Sequence, residues 1–378
     1  MTDSAHRHSV ALPQVVIDLE KLRHINCGLG RFSYFLGREV LRLADKPFEP
    51  VFLLPKGAER YFPESGFHTL TAQLARKEVV QQLFRPLVRP FLGKPRFAVW
   101  HVSNQMSRYL PLDPRVPVIL TVHDLNFLHE SPQADRGREI DRKLADIQRK
   151  VDRAAVLVTD SQYVADDLAA HADLGNRPVH VVPLGLGEPP RASATRPAFL
   201  PDGPFLFTVG NCLIHKNFHV LFDLLPAVPG TRLVIAGKKA TPYGEHLERE
   251  IARLGLADRV LMPGEISDGD RQWLYENCEA FLFPSLTEGF GFPVLEAMQA
   301  ARPVFCSRKT SLPEIVGDKA TFVDAFDGPS LAAVYREGMQ RFAADPRAAE
   351  TLREHAATFS WAETARRYCR VYETVIAG

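Results

Sequence analysis

The sequence contains few cysteines, almost no net charge and no long apolar run. Its five cysteines form no C-x-x-C pair, and an odd number without that spacing predicts neither a disulfide framework nor a zinc site. A formal net charge of +1 gives the whole molecule no general attraction to nucleic acid. No apolar run reaches the roughly 18 residues of a membrane span, and the polar N-terminus lacks the apolar core of a signal peptide. We therefore expect a cytoplasmic protein that contacts a membrane only at its surface, if it does so at all.

The hydrophobic residues that are present form short runs, which alternate with helix-like segments. They make up 46% of 378 residues, enough for two cores, because single cores stop growing near about 250–300 residues. Apolar runs in such an alternation predict parallel strands that are covered by helices on both faces. The predicted strands are residues 15–19, 51–54, 98–102, 118–122, 155–159 and 179–182, followed by 205–209, 232–236, 260–262, 280–284, 303–306 and 321–323. The predicted helices include residues 32–43, 244–254, 271–278 and 359–376.

The alternation stops once, between Glu188 and Pro204. This stretch contains five prolines and no periodicity, which is typical of a linker; a long surface loop within one domain is the alternative. The prediction is an N-terminal domain of residues 1–187, a linker of residues 188–203, a C-terminal domain of residues 204–358 and a terminal amphipathic helix of residues 359–378. Open parallel sheets bind ligands at the carboxyl ends of their strands, so two such domains facing each other would form a binding cleft.

Residues 285–296, S-L-T-E-G-F-G-F-P-V-L-E, follow a predicted strand and contain a glycine-rich turn. Proline is favoured at the first helical position, so a helix is predicted to begin at Pro293. Main-chain N–H groups at a helix start attract anions. Gly289 and Gly291 would let a diphosphate approach these groups without a metal.

Two glutamates flank this turn. Glu288 in the loop could reach a sugar hydroxyl, and Glu296 in the first helical turn could accept hydrogen bonds from two ribose hydroxyls. The alternative is a tight turn followed by a glutamate that the helix dipole stabilises. Their spacing inside E-G-F-G-F-P-V-L-E-A-M resembles the E-x7-E signature of retaining GT-B glycosyltransferases of family 4. The resemblance continues through A-R-P-V-F-C-S and S-L-P-E-I-V-G-D-K-A.

This resemblance implies an α/β fold of the GT-B type. Two Rossmann-like domains would face each other across a cleft, and the C-terminal helix would cross back to the N-terminal domain. The resemblance also implies that Glu296 binds the nucleotide ribose and that Glu288 contacts the donor sugar. The donor-binding residues would further include Gly289, Phe290 and Gly291.

A second loop, G-N-C-L-I-H-K-N at residues 210–217, follows the predicted strand 205–209. A lysine at a helix start after a strand can neutralise phosphate oxygens, and Lys216 matches the lysine that the resembling enzymes place on the diphosphate. Their partner arginine is absent, because Asn211 and His215 occupy the two positions at which subgroups carry it. Either Lys216 acts with a histidine, or a basic residue arrives from elsewhere, with Arg31 as the candidate. A solvated lysine at a helix start is the alternative reading.

Gly28-Leu29-Gly30-Arg31 opens the predicted helix 32–43. A glycine-rich loop before a helix suits a phosphate group, although this one lacks the remaining spacing of a dinucleotide fingerprint. It resembles the G-x-G-R loop in the N-terminal domain of the family. Gly30 and Arg31 are therefore predicted to bind the donor.

His123 and Asp124 follow the predicted strand 118–122. A histidine at this position faces the expected cleft, whereas a lone histidine elsewhere is usually a core or surface residue. The resemblance places His123 beside the anomeric carbon of the donor, and Asp124 would orient its ring or bind the acceptor. The catalytic candidates are thus His123, Lys216 and Glu288.

The sequence Ser267-Asp268-Gly269-Asp270 contains a D-x-D, which binds a metal in another transferase fold. Here it directly precedes a predicted helix, where serine and aspartate cap free N–H groups, and we favour capping. No metal is expected. The nucleotide sugar is a co-substrate, and no further cofactor is predicted.

Residues 76–96 carry six basic side chains against one acid, a balance of six minus one, or +5, with apolar residues interleaved. Such a basic amphipathic stretch is typical of an element on a membrane surface. It would dock on anionic lipid and bring a lipid-linked acceptor to the cleft. A solvated helix with a core-facing stripe is the alternative.

The expected activity is the transfer of a hexose with retention of anomeric configuration. GDP-mannose is the preferred donor, and the acceptor is a hydroxyl of a glycan or a lipid-linked molecule in cell-surface polysaccharide assembly. By resemblance, the donor phosphate takes the acceptor proton. The alternatives are a sugar-nucleotide epimerase of the same fold and a non-catalytic sugar-nucleotide-binding protein.

Overall fold

The computed structural model describes residues 12–25, 27–64, 66–73, 93–129, 137–193 and 195–378. These residues form two parallel β-sheets, one of seven strands and one of six. The first sheet, in the order β3-β2-β1-β4-β5-β6-β7, contains β1 (Gln14–Asp18), β2 (Glu49–Leu54), β3 (His68–Thr71), β4 (Val99–Val102), β5 (Val118–Val122), β6 (Val156–Thr159) and β7 (Val179–Val181). The second, in the order β10-β9-β8-β11-β12-β13, contains β8 (Phe205–Val209), β9 (Arg232–Ala236), β10 (Val260–Gly264), β11 (Phe281–Phe283), β12 (Val304–Ser307) and β13 (Thr321–Val323).

Helices cover these sheets. The described α-helices are α1 (Gly28–Arg42), α2 (Asn126–His129), α3 (Gly137–Arg153), α4 (Gln162–His171), α5 (Pro242–Arg253), α6 (Asp268–Asn277), α7 (Phe292–Gln299), α8 (Leu312–Val316), α9 (Gly328–Ala344), α10 (Ala348–Ala357) and α11 (Trp361–Ala377). Short 3-10 helices occupy Glu20–His24, Ala58–Tyr61, Ile214–Lys216 and Phe218–Ala227.

Every predicted strand coincides with an observed strand to within two residues at each end. The prediction missed β3, in which His68 and Thr69 are exposed and only Leu70 is buried. This strand lies at the edge of the first sheet and pairs with β2 alone among the described strands. A strand with one buried side chain lacks the apolar run on which the other predictions depended.

The apolar strands are explained by burial on both faces. All five residues of β5 are buried, as expected for a central parallel strand between helices. One hydrophobic cluster covers one face of the first sheet and continues to the second sheet, so that Val15 and Phe207 belong to the same cluster. Separate clusters cover the opposite faces of the two sheets.

Helix α11 packs on the first sheet although it ends the chain. It contacts α1 and β4, and the Tyr372 hydroxyl lies 2.8 Å from His101 Nδ1. Immediately before it, Ser360 forms a parallel bridge with Leu186. The backbone of Gly185 lies so close that an added Cβ would be 2.1 Å from the Trp361 nitrogen. A glycine is therefore required where the chain leaves the first sheet.

Between β7 and β8, the described residues form no helix or strand apart from this bridge. Most of the basic stretch predicted at residues 76–96 lies outside the described residues. No helix in the described part of the chain combines the length and the apolar character needed to cross a membrane.

Candidate active site

A cleft of about 470 Å³ lies between the carboxyl ends of the two sheets. Arg31 of α1 contributes to its lining from the first half of the chain, and Gly210 and Glu296 contribute from the second. Helix α6 adds Asp268 and Arg271. The cleft therefore brings together residues that the sequence could only place separately after individual strands.

Glu296 projects into this cleft from α7. Helix α7 begins at Phe292, and its N-cap is Gly291 with a φ of 105°. The helix thus begins one residue before the predicted Pro293, so Glu296 is its fifth residue and lies in the second turn, not in the first as predicted. Tyr275 donates a hydrogen bond of 2.8 Å to Glu296 Oε2, which fixes the carboxylate at the cleft wall.

Two arginines contact the same pair of carboxylates. Arg31 Nη2 lies 3.2 Å from Asp268 Oδ1, and Arg31 Nη1 lies 3.6 Å from Glu296 Oε1. Arg271 Nη2 lies 3.1 Å from Asp268 Oδ1 and 3.8 Å from Glu296 Oε1. Burial is the largest single effect and opposes the charge on Arg271, but Glu296, Tyr275 and Asp268 together outweigh it and raise the pKa of Arg271. Sequence reasoning gave no signal for Arg271, because only the tertiary structure brings it to Glu296.

The D-x-D sequence lies at the start of α6. Ser267 is the N-cap residue, and its Oγ accepts a 3.0 Å hydrogen bond from the Asp270 N–H. The carboxylates of Asp268 and Asp270 face different partners, since Asp268 meets the arginines and Asp270 accepts from the Ser193 hydroxyl at 2.8 Å. This geometry agrees with the capping interpretation.

Lys216 and Glu288 form an ion pair beside the cleft. Lys216 Nζ lies 2.5 Å from Glu288 Oε1, and both side chains are largely buried. Lys216 ends the 3-10 helix Ile214–Lys216 and does not begin an α-helix as predicted. Its position is nonetheless close to the cleft, because an added Cβ on Gly210, which lines the cleft, would be 3.5 Å from Lys216 Cε.

The loop around Glu288 is hydrogen-bonded to a neighbouring turn at Thr310 and Ser311. The Glu288 N–H donates to Thr310 Oγ1 at 3.0 Å, and the Ser311 hydroxyl donates to the Glu288 carbonyl at 2.9 Å. The Leu286 N–H donates to the His215 carbonyl at 2.7 Å, which ties this loop to the loop that carries Lys216. His215 itself is buried, whereas Asn211 is exposed.

The three residues after Glu288 have different surroundings. The ring of Phe290 is buried against Phe292 and Phe359, so any contact of Phe290 with a donor is left to its main chain. An added Cβ on Gly289 would be 2.3 Å from the His123 carbonyl oxygen. Gly291 adopts a positive φ that favours glycine.

Gly30 lies inside helix α1, where a loop was predicted. Its N–H donates to Cys27 Sγ at 3.4 Å, and an added Cβ would be 2.1 Å from the His24 carbonyl oxygen. The glycine therefore allows the chain to pack against itself at the helix start. Arg31, the next residue, is the member of this segment whose side chain reaches the second half of the chain.

His123 is buried at the end of β5, and both of its ring nitrogens have acceptors. Nδ1 lies 2.6 Å from Asp160 Oδ2, and Nε2 lies 2.9 Å from the Ser103 carbonyl oxygen. Burial is the largest single effect and disfavours the charged ring, but Asp160, the Ser103 carbonyl and Asp124 together outweigh it and raise the pKa of His123. The ring is thus oriented by Asp160, which the sequence analysis overlooked. The position of Asp160 directly after a predicted strand is the sequence feature that could have identified it.

Asp124 does not contact the His123 ring. Its Oδ1 accepts from the Asn126 N–H at 3.1 Å, and its carbonyl accepts from Gln105 at 2.7 Å. The proposal that Asp124 orients the histidine is therefore wrong, because its side chain turns toward its own loop. Burial raises the pKa of Asp124, and Glu288 is among the charges close enough to act on it.

The two halves of the chain touch beside Glu288. The Thr287 hydroxyl donates to Asn126 Oδ1 at 2.9 Å, and the Ser161 hydroxyl donates to the Gly289 carbonyl at 2.9 Å. Glu314 accepts from the Gln162 N–H at the start of α4. The Glu288 loop is therefore held against the ends of β5 and β6.

Comparisons with known proteins identify this architecture. The family "Glycosyltransferase Family 4" matches residues 33–186, and "Glycosyl transferases group 1" matches residues 194–359. O-antigen chain mannosyltransferase B of Escherichia coli is 36% identical over 369 residues, which cover 86% of this chain and 91% of that protein. Serotype-specific mannosyltransferase WbdA of Escherichia coli is 31% identical over 242 residues, 59% of this chain, and this chain spans only 29% of its length.

The solved structure of Anabaena Alr3699/HepE in complex with UDP and glucose has the same fold. It matches with a TM-score of 0.64 at 16% identity and covers 97% of this chain and 100% of its own. The two parallel-sheet domains and their cleft thus define a protein of the GT-B class, as predicted. The chain belongs to the family 4 glycosyltransferases, with a group 1 glycosyl transferase domain as its second half.

Proposed function

We propose that this protein transfers a hexose from a nucleoside diphosphate sugar to a hydroxyl group, with retention of the anomeric configuration. The favoured donor is GDP-mannose, and the favoured acceptor is a glycan or a lipid-linked molecule in cell-surface polysaccharide assembly. Two mannosyltransferase relatives support this choice of sugar. The reaction would take place on the cytoplasmic side of the membrane, where nucleotide sugars are available.

One observation carries the proposal. Glu296 lies in the wall of a cleft between the two sheets, and Glu288 pairs with Lys216, whose side chain lies beside the cleft residue Gly210. A nucleotide sugar bound in the cleft would place its ribose at Glu296, its phosphates at Lys216 and its sugar at Glu288. This order matches the order of groups in a nucleoside diphosphate sugar.

Binding of the ribose would replace arginine contacts of Glu296 with hydrogen bonds from ribose hydroxyls. Its Oε1 now faces Arg31 and Arg271 at 3.6 and 3.8 Å, which are longer than hydrogen bonds. Ribose hydroxyls could donate to this oxygen at hydrogen-bond distance, while Tyr275 keeps hold of Oε2. The two arginines would remain nearby with positive charge.

The diphosphate would be held without a metal ion. Lys216 supplies one positive charge, and the main-chain N–H groups at the start of α7 supply further donors. Arg31 lines the same cleft from the opposite domain and would replace the arginine that is missing from residues 210–217. Such donors stabilise the charge that develops on the departing nucleotide.

In the transfer step, the bond between the anomeric carbon and the phosphate oxygen breaks, and a bond to the acceptor oxygen forms on the same face. The acceptor proton passes to the departing phosphate. His123 would not take this proton, because Asp160 and the Ser103 carbonyl already face both ring nitrogens. The His123 side chain would instead form the wall of the site next to the anomeric carbon and position the sugar.

A thermal-shift series with nucleotide sugars tests the proposal. We expect GDP-mannose, or another nucleoside diphosphate hexose, to raise the Tm, since a ligand at 100 times its Kd stabilises by about 2.7 kcal/mol. The shift should disappear in Glu296→Ala and Lys216→Ala. Glu337→Ala, which removes an exposed carboxylate on α9, is the matched control and should keep it.

The active donor is then incubated with and without acceptor oligosaccharides, and the linkage is read by NMR. An α-linked product from an α-linked donor supports retention. An epimerised donor formed without any acceptor would instead identify an epimerase. Binding without turnover under all conditions would identify a non-catalytic protein, and the absence of any Tm shift would remove the proposal altogether.

A further inference from the structure

Two adjacent residues at the end of β6 contact both halves of the candidate site. Asp160 Oδ2 lies 2.6 Å from His123 Nδ1 in the first half of the chain. The next residue, Ser161, donates from its hydroxyl to the Gly289 carbonyl in the loop that carries Glu288. The end of β6 thus connects the proposed acceptor side with the proposed donor side.

The surroundings of the His123 ring determine its protonation. A carboxylate oxygen faces Nδ1 and a carbonyl oxygen faces Nε2, and a carbonyl can only accept. Both contacts are hydrogen bonds when each nitrogen carries a proton beside an ionised Asp160, or when a protonated Asp160 donates to Nδ1 and only Nε2 carries a proton. The edge of the Phe32 ring, with centroids 4.5 Å apart, covers another side of the imidazole.

The Asp160 carboxylate is buried and hydrogen-bonded to the His123 ring. Asp160 is 1% exposed, and its second oxygen, Oδ1, has no hydrogen-bond partner among the described residues. A buried carboxylate is costly unless a cation compensates it, and His123 is the group that does so here. Burial raises the pKa of Asp160, and His123 opposes this effect through its charge and its hydrogen bond. The arrangement that pairs the two charges is an imidazolium held between two acceptors.

We propose that Asp160 is a positioning residue for sugar transfer, which locks His123 as a doubly hydrogen-bonded imidazolium against the donor loop. This inference rests on the proposed function. The contact with the donor loop is close, since the His123 carbonyl oxygen would be 2.3 Å from a Cβ at Gly289. A rotated or displaced His123 ring would shift the end of β5. Gly289, the residue next to Glu288, would then shift as well.

Several titratable groups surround this pair and set the pH range in which it exists. Asp124 lies next in the chain and favours the charged ring. On β4, burial and the nearby His123 lower the pKa of His101 to about 3, so His101 stays neutral. On α11, burial and Asp160 keep the pKa of Tyr368 well above its ordinary value. His123 is thus the histidine of this cluster whose pKa its surroundings raise.

The decisive variant is Asp160→Asn, which keeps the shape and an acceptor for Nδ1 but removes the charge. Without the carboxylate the ring loses its second proton at lower pH, so it no longer carries a positive charge at the end of β5. Asp166→Asn changes an exposed aspartate on α4 and is the matched control. Ser161→Ala tests the contact with the donor loop separately.

Nitrogen-15 NMR of histidine-labelled protein without ligand tests the arrangement directly, with His123 assigned through His123→Gln. We expect wild-type His123 to carry protons on both nitrogens at pH 7, and Asp160→Asn to lose one of them at a lower pH than wild type. A wild-type ring with a single protonated nitrogen at pH 7 overturns the proposal. The wild-type spectrum tests the proposal even if the Asp160→Asn protein does not fold.

Kinetics then test the role in transfer. We expect kcat of Asp160→Asn to fall by at least about tenfold, because small misplacements near the reacting atoms slow transfer steeply, with little change in the KM of the donor. The alkaline limb of its pH profile should move to lower pH, because loss of the carboxylate lowers the pKa of the ring. Ser161→Ala should raise the donor KM instead, and Asp166→Asn should behave as wild type.

An Asp160→Asn protein with unchanged kcat and pH profile, beside an active wild type, overturns the role of Asp160 alone. A wild type that neither binds nor transfers any nucleotide sugar overturns the proposed function, and the positioning role falls with it. The two failures are therefore distinguishable.

Discussion

Arg31 and Glu296 face each other across the cleft, with 3.6 Å between Arg31 Nη1 and Glu296 Oε1. The arginine belongs to the first helix, and the glutamate belongs to the second domain. Asp268 holds the same guanidinium at 3.2 Å. A positive charge from one domain is therefore anchored at the position where we propose that a nucleotide binds.

Arg31→Ala should weaken donor binding by about 10- to 100-fold. A hydrogen bond to a charged group contributes about 1.5–3 kcal/mol, and about 1.4 kcal/mol corresponds to a tenfold change in Kd. Isothermal titration with the active nucleotide sugar measures the effect. Arg42→Ala, on the same helix and paired with Glu39 at 3.2 Å, is the control. Tighter binding in Arg31→Ala would show that Arg31 competes with the ribose for Glu296.

Lys216→Met should destabilise the C-terminal domain as well as abolish donor binding. It leaves the Glu288 carboxylate buried without its partner, and the loss of one member of a buried pair costs roughly 3 kcal/mol. The double variant Lys216→Met/Glu288→Gln should recover part of this loss because no charge is left unpaired. Urea unfolding of the wild type, Lys216→Met, Glu288→Gln and the double variant gives the coupling free energy. Strict additivity would mean that the two side chains do not interact in solution.

Asp18→Asn should stabilise the protein at alkaline pH. Burial raises the pKa of Asp18 in the folded protein to about 7, against an ordinary value of 3.8. Between these values the folded protein keeps a proton that the unfolded chain has lost, so stability decreases as pH rises from 3.8 to about 7. Asparagine does not titrate, and it can still accept from the Glu20 N–H, as Asp18 does at 3.0 Å.

The Tm difference between Asp18→Asn and wild type should therefore be larger at pH 8 than at pH 5. Asp202→Asn, which alters a fully exposed carboxylate, should show no such difference. Equal Tm gains of Asp18→Asn at both pH values would contradict the raised pKa.

Gly289→Ala should separate the Glu288 loop from the end of β5. The added Cβ would be 2.3 Å from the His123 carbonyl oxygen, and such overpacking costs typically about 1–3 kcal/mol. We expect a lower Tm and a loss of transfer activity. Gly137→Ala, whose Cβ would meet none of the described residues within 4 Å, is the control. Normal activity of Gly289→Ala would show that the two halves do not need to touch here during turnover.

The strands were predictable because their signal is local. A central strand such as β5 is apolar at all positions but Thr121, since both faces of the sheet are covered. The edge strand β3 escaped prediction for the converse reason, because solvent covers most of its side chains and imposes no apolar run.

The site was predictable only in part. Glu288, Glu296 and Lys216 could be named because each lies in a short motif after a strand, and their proposed roles remain predictions. The orientation of His123 was assigned to Asp124, its neighbour in the chain, whereas the structure supplies Asp160 from the next strand in the sheet. A residue of the same sheet edge can be closer to a side chain than its own neighbour in sequence.

The sequence by itself determined the alternation of strands and helices and the motif that identifies the family, because both depend on residues a few positions apart. Only the tertiary structure decided which charges meet. Arg31 and Arg271 reach Glu296 from two different helices, and Asp160 and Ser161 connect His123 with Gly289. These contacts join segments that are distant in the chain, so their distances are set by how the two sheets pack and not by any local pattern.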